Sequence, residues 1–158
     1  MSVAFTREED IESTAAHLPD RPISLAPNLV TPAGLAALEA ALNEARAAYA
    51  AARAGGEVST DRTAMARAAR DLRYYSARRA SAQLVEPADG DVVRFGARVT
   101  IEREDGRRQT FHIVGEDEAD PKVGAISYTS PLAQALLGKV PGDTAVVAGG
   151  EVEILQIA

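Results

Sequence analysis

Cysteine is absent from these 158 residues, which excludes disulfides, thiolate metal sites and a cysteine nucleophile. Tryptophan is absent as well, and only 4% of residues are aromatic, so a core has to come from Ala, Val, Leu and Ile. No apolar run approaches the roughly 18–20 residues that span a bilayer. The opening MSVAFTREEDIES is acidic early and lacks an apolar stretch, so it does not read as a secretory signal. Basic charge is in deficit, with 17 Lys and Arg against 23 Asp and Glu. The resulting −6 argues against wholesale binding of duplex DNA. Neither a Gly-rich phosphate loop nor an HExxH pattern appears. A soluble, cytoplasmic protein with no membrane partner is expected.

The charge that is present is unevenly placed. Residues 1–30 hold five acids and two bases, residues 31–87 six and eight, and residues 88–158 twelve and seven. A basic middle lies between two acidic ends, an asymmetry that suits electrostatic steering. Pro22 and Pro27 make residues 1–30 an extended arm with at most a short helix around Glu8–His17; a flexible tail is the alternative.

Thr31-Pro32 opens a helix, the Thr as cap and the Pro in the first turn. Leu35, Leu38, Leu42, Ala45, Tyr49 and Ala52 then recur at spacings of 3 and 4, a heptad seam that Gly55-Gly56 ends. From Ser59 or Thr60 a second seam runs through Met65, Ala68, Leu72, Tyr75, Arg79 and Ala82. Two matched seams about a Gly-Gly turn predict an antiparallel helical hairpin (a coiled coil) over residues 31–87, with two helices in an ordinary bundle as the alternative. At about 1.5 Å per residue, Pro32–Ala54 would reach roughly 35 Å. Arg79 falls on the seam and is expected to snorkel over its end.

Glu86-Pro87-Ala88-Asp89-Gly90 ends the helical pattern, and the apolar period becomes two. Strands are predicted at Val92–Phe95, Ala97–Arg103, Gln109–Val114, Ala125–Tyr128, Thr144–Ala148 and Val152–Ile157. One helix interrupts them at Ser130–Leu137, with Ser130 as cap, Pro131 in the first turn and Gly138 after the end. Asp105-Gly106 and Gly149-Gly150 supply hairpin turns. Residues 88–158 therefore read as a small α+β domain, a mostly antiparallel sheet carrying one helix.

Several stretches here carry a family resemblance. They are Val93-Arg94-Phe95-Gly96-Ala97-Arg98-Val99, Ile113-Val114-Gly115-Glu116-Asp117-Glu118-Ala119-Asp120 and Gly124-Ala125-Ile126-Ser127. Ser130-Pro131-Leu132-Ala133, Ala135-Leu136-Leu137-Gly138-Lys139 and Gly142-Asp143 continue in register. Together with the hairpin before them, they resemble the GreA/GreB family of transcription elongation factors, as a divergent member with a short hairpin. The resemblance implies an FKBP-like antiparallel sheet domain docking at the rim of the RNA polymerase secondary channel. The hairpin would then point down the channel and modulate paused or backtracked complexes. Asp117, Glu118, Asp120, Ser127, Ser130 and Pro131 become the docking candidates.

In the family, acidic tip residues help hold a second Mg²⁺ in the polymerase site, a role suited to hard oxygen ligands. The factor needs no cofactor of its own beyond sharing that ion. The tip here, Gly56-Glu57-Val58-Ser59-Thr60-Asp61-Arg62-Thr63-Ala64, departs from the family's Gly-Asp-Leu-Ser-Glu-Asn-Ala-Glu-Tyr. Glu57 takes the first carboxylate position and Thr60 the second, with Asp61 one residue later. Asp61 either substitutes after a loop rearrangement or caps the second helix. The first arm is also about one heptad short, roughly 10 Å of reach, as in the short-armed Rnk-type relatives. Both departures point to channel binding with weakened cleavage stimulation, and the chain is expected not to be an enzyme; an active cleavage factor is the alternative. Arg62, Arg67, Arg70 and Arg73 are candidates for facing the nascent RNA 3′ end or acidic polymerase surface, an ordinary solvated helix face being the other reading. A monomer is expected.

Other chemistry is weaker. The Glu116–Asp120 run reads as a docking loop sooner than a metal site. Ser130 has no nearby base to make it a nucleophile. His17 and His112 are isolated. A prolyl isomerase or chaperone is the rival from another class, opposed by the few aromatics after residue 88, namely Phe95, Phe111 and Tyr128.

Overall fold

The computed structural model describes residues 18–55 and 59–158, with the side chains of 59–61 left aside. The described chain forms two compact units. One joins Leu38–Ser81 to the described part of Met1–Leu25; the other joins Ala26–Ala37 to Ala82–Ala158.

The hairpin follows the expectation closely. Helix α1 runs Pro32–Ala54 and α2 runs Ser59–Ser81. Leu38, Leu42 and Ala45 are buried on the α1 seam and Ala68 on the α2 seam. A Glu39–Arg79 ion pair of 2.9 Å joins the base of one helix to the end of the other, as an antiparallel pairing requires. The Arg79 head group thus pairs across the helices, and its neighbour Arg78 is the arginine that is buried. Near the tip Met65 is 40% exposed. Small Ala side chains bury little area, so the distal seam is thinly covered.

The globular unit begins before the hairpin. Strand β1 (Leu29–Val30) pairs in parallel with β2 (Gln83–Leu84). The short strand within the expected arm was missed because two residues carry no period. The first turn of α1 and the residues from Ala82 belong with this unit, so the boundary expected near residue 87 lies earlier. A five-stranded sheet follows in the order β5-β4-β3-β7-β6: β3 (Arg98–Arg103), β4 (Arg108–Val114), β5 (Ala125–Ser127), β6 (Thr144–Val147) and β7 (Gly150–Ile157). All its pairs are antiparallel except β4 with β5, the parallel edge. Helix α3 (Pro131–Leu136) packs on it, capped by Ser130 as expected.

Val99, Ile101, Ile113, Ala133, Leu136 and Ile154 are fully buried, an aliphatic core of the composition anticipated. One predicted strand does not form. Val93 exchanges backbone bonds with Gly138 and Lys139, in the loop after α3. Gly96, at φ 86°, then turns the chain so that its N–H meets Ile113 O at 2.8 Å. A left-handed residue at that point ends the extended run.

Candidate docking site on the globular unit

Strand β4 delivers the chain to the site. Its last residue, Val114, is buried, and Gly115 turns out of the sheet into a 3-10 turn at Glu116–Glu118. Asp117 is exposed on this turn. Asp120 caps a second turn, Pro121–Val123, accepting from Lys122 N at 3.2 Å. The backbone of Asp120 bridges Ala125, which returns the chain to the sheet edge as β5. Ser127 closes β5; its hydroxyl lies 2.7 Å from Thr129 Oγ1 and accepts from Thr129 N at 3.2 Å. Ser130 Oγ accepts from Ala133 N at 3.3 Å, and Pro131 stands exposed in the first turn of α3.

Both 3-10 turns and α3 contact β5, so Asp117, Asp120, Ser127, Ser130 and Pro131 gather along one sheet edge. Glu116, Asp117 and Asp120 make this strip acidic, with Lys122 the one base in residues 115–131. Beneath it, Tyr128 packs edge-to-face on Phe95 with ring centroids 5.7 Å apart, and its hydroxyl donates to Pro27 O. Those two aromatic side chains thus serve the packing of the edge. His112, on the neighbouring strand, donates from Nε2 to Gly96 O at 3.1 Å. Burial and the Arg98 charge hold its imidazole below the ordinary histidine range.

Glu118 differs from the other candidates. Its carboxylate accepts from Thr31 N at 3.1 Å, from Thr31 Oγ1 and from Gly115 N at 3.2 Å. A side chain so engaged is turned toward the start of α1, not outward. The partner stands 87 residues away in sequence, so no local pattern revealed it.

The hairpin unit carries the basic candidates. Arg62 and Arg67 are exposed. Arg70 is partly covered, its Nε buried without a hydrogen-bond partner and 3.8 Å from Asp71. Arg73 donates to Asp20 at 2.6 Å. Next to that pair, Arg21 lies 3.8 Å from the Tyr74 ring centroid and 3.5 Å from Asp71. The chain around Asp20-Arg21 therefore rests on α2 and occupies one of the four arginines. Opposite charge in the arm and in the helix was the available sequence signal. Exposed pairs of this kind contribute about 0–1 kcal/mol each, so such a contact can yield to a stronger anion. At the tip, Glu57 lies outside the described residues, as does the side chain of Asp61. Among the described residues no group of three or more His, Asp or Glu is arranged to hold a metal ion, and no helix is long and apolar enough to cross a membrane.

Residues 87–158 match the family model for the C-terminal domain of the transcription elongation factors GreA/GreB. That stretch, a little under half of the chain, is similar to the GreA/GreB C-terminal domain. The chain is 58% identical over 65 residues to the transcription elongation factor GreA of Hyphomonas neptunium, covering 40% of this chain and 41% of that one. A longer match, 43% over 93 residues, joins it to GreA of Desulfovibrio desulfuricans, with 57% and 56% covered. The chain thus spans about half the length of the curated relatives it matches. Among solved structures, Gfh1 of Thermus thermophilus (a GreA factor homolog) superposes with a TM-score of 0.40 at 23% identity, over 84% of this chain and 99% of that one. One expectation is corrected by these relatives. They are transcription elongation factors named GreA, so the expectation that the chain is not an enzyme does not stand.

Proposed function

We propose that this chain is a cytoplasmic transcription elongation factor of GreA/GreB type that binds RNA polymerase through the β5 edge of its globular unit. The match of residues 87–158 to the GreA/GreB C-terminal domain carries this reading. The acidic strip supports it, since five of the six docking candidates share that edge and offer charge and caps to a basic, polar partner. The hairpin is the element that enters the secondary channel and acts on paused or backtracked complexes, with Arg62 and Arg67 available to the RNA 3′ end. Its tip lends carboxylates to the polymerase Mg²⁺.

Charge reversal tests the docking surface. Asp117→Arg and Asp120→Arg are expected to weaken binding to core RNA polymerase at least about tenfold, the cost of placing like charges across an interface. Glu153→Arg, exposed on β7 away from β5, serves as the control and is expected to bind as the parent does. Equal affinity of all three would remove the β5 edge from the interface.

The tip has its own test. Added to a stalled, backtracked elongation complex, the chain is expected to shorten the RNA slowly, because Thr60 stands where the family motif has its second carboxylate. Thr60→Glu is expected to raise the shortening rate about tenfold, roughly 1.4 kcal/mol in barrier height, and Glu57→Ala to abolish it. Shortening that ignores both substitutions would mean that the tip takes no part.

A further inference from the structure

We infer that Glu118 is a positioning residue that shapes the docking strip from behind by latching it to the N-terminus of α1; this rests on the docking reading above. Three donors converge on its carboxylate, two from Thr31 and one from Gly115. The Thr31 hydroxyl is used in both directions, donating to Glu118 and accepting from Gly34 N at 3.0 Å. Thr31 is 7% exposed, so the latch is shielded from competing water. The geometry around it leaves room for nothing else. A Cβ on Gly34 would stand 2.0 Å from Glu118 Cδ, so a side chain at that position and the latched carboxylate exclude one another.

The energetics favour this arrangement twice. A carboxylate at a helix N-terminus meets the positive end of the helix dipole and its unpaired N–H groups. Charge-assisted bonds are also the stronger class. The consequence falls on the neighbours. Glu118 sits between exposed Asp117 and exposed Asp120, with its own N–H bonded back to Gly115 O at 3.2 Å. Fixing its side chain fixes the turn that presents Asp117. Without the latch, that turn loses its side-chain anchor to the start of α1 and samples other conformations before binding, which lowers affinity without removing any contact to the partner.

Thr31 separates positioning from direct contact, because it is buried and outside the strip. Full-length variants are measured for affinity to core RNA polymerase and for amide hydrogen exchange. Thr31→Val is expected to weaken binding about tenfold and to accelerate exchange at residues 115–119 while the β3 and β4 amides stay protected; Thr31→Ser, which keeps the hydroxyl, restores both. Glu118→Ala should match Thr31→Val, and the double variant should be no worse than either, as for two members of one interaction. If Thr31→Val proves unfolded, Gly34→Ala expels the same carboxylate and is expected to give the same pair of effects. Loss of affinity in Glu118→Ala alone, with Thr31→Val binding and exchanging like the parent, would make Glu118 a direct contact and overturn the inference. The docking reading fails separately. There, Asp117→Arg and Asp120→Arg leave affinity unchanged, whereas the exchange result still reports on the latch.

Discussion

Ile113→Ala is expected to lower the unfolding free energy of the globular unit by about 2–5 kcal/mol, the range for deleting a buried Ile side chain down to its β-carbon. Ile113 is fully buried near the end of β4, in register with Ile126 on β5 and within the aliphatic core. Its backbone N–H and C=O are both bonded, to Ala97 O and from Gly96 N, so the strand cannot sag easily into the cavity. Small domains hold about 5–15 kcal/mol in total, so this single change removes a large fraction. Urea denaturation checks it, with Val146→Ala as reference. Val146 is 80% exposed, and its substitution is expected to stay within about 0.5 kcal/mol. A smaller loss for Ile113→Ala than for Val146→Ala would contradict the placement of the core. Because Ile113 also leads directly into Val114-Gly115, the variant should lose polymerase binding in proportion to the fraction unfolded.

Much of the fold was legible because its signals are local. Thr31-Pro32 and Ser130-Pro131 are caps that act within one helical turn, and both helices begin where those residues say. The heptad seams placed Leu38, Leu42, Ala45 and Ala68 inside, because burial along a helix follows its 3.6-residue period. What escaped depends on partners far away in the chain. Leu29–Val30 is a strand only because Gln83–Leu84 lies beside it. Val92–Phe95 has a strand-like composition, yet its backbone partners are in the loop after α3. The parallel placement of β5 follows from the two 3-10 turns that carry the chain back to the edge, and short turns have no period to read.

The same division runs through the site. Asp117, Asp120, Ser127, Ser130 and Pro131 were chosen by resemblance, and proximity in sequence already keeps them on neighbouring turns. Glu118 was grouped with them by the same resemblance. Its role turns on Thr31 and Gly34, whose positions on the N-terminal side of the hairpin gave no hint of an acidic partner. Arg73 likewise read as a free basic residue until Asp20 was found against it. Charge patterning set a basic middle between two acidic ends, but did not say which residues meet.

Gly115→Ala is expected to destabilise the globular unit by about 1–3 kcal/mol, the usual cost of forcing atoms into a packed site. The backbone of Gly115 is not the obstacle, since φ −69° and ψ 165° suit any residue. The obstacle is outside it. A Cβ would fall 2.3 Å from Leu29 O and 3.1 Å from Glu118 Oε2. A carboxylate at the end of a flexible side chain can swing aside, but Leu29 O belongs to the main chain of β1, which is held by its ladder with β2. Relief therefore means moving β1 away from the β4 corner, and that strains the Gly115 N–H bond to Glu118 as well. Gly138→Ala makes the comparison, because its φ of 83° is left-handed while nothing lies within 4 Å of its Cβ. That variant should cost about 1–2 kcal/mol through the backbone alone and leave exchange at residues 115–119 unchanged. Gly115→Ala should speed that exchange and weaken polymerase binding beyond what its stability loss accounts for. Parent-like exchange in a Gly115→Ala variant would mean that β1 does not press on the docking turn. The close approach of Leu29 to Gly115 would then be packing without a part in docking.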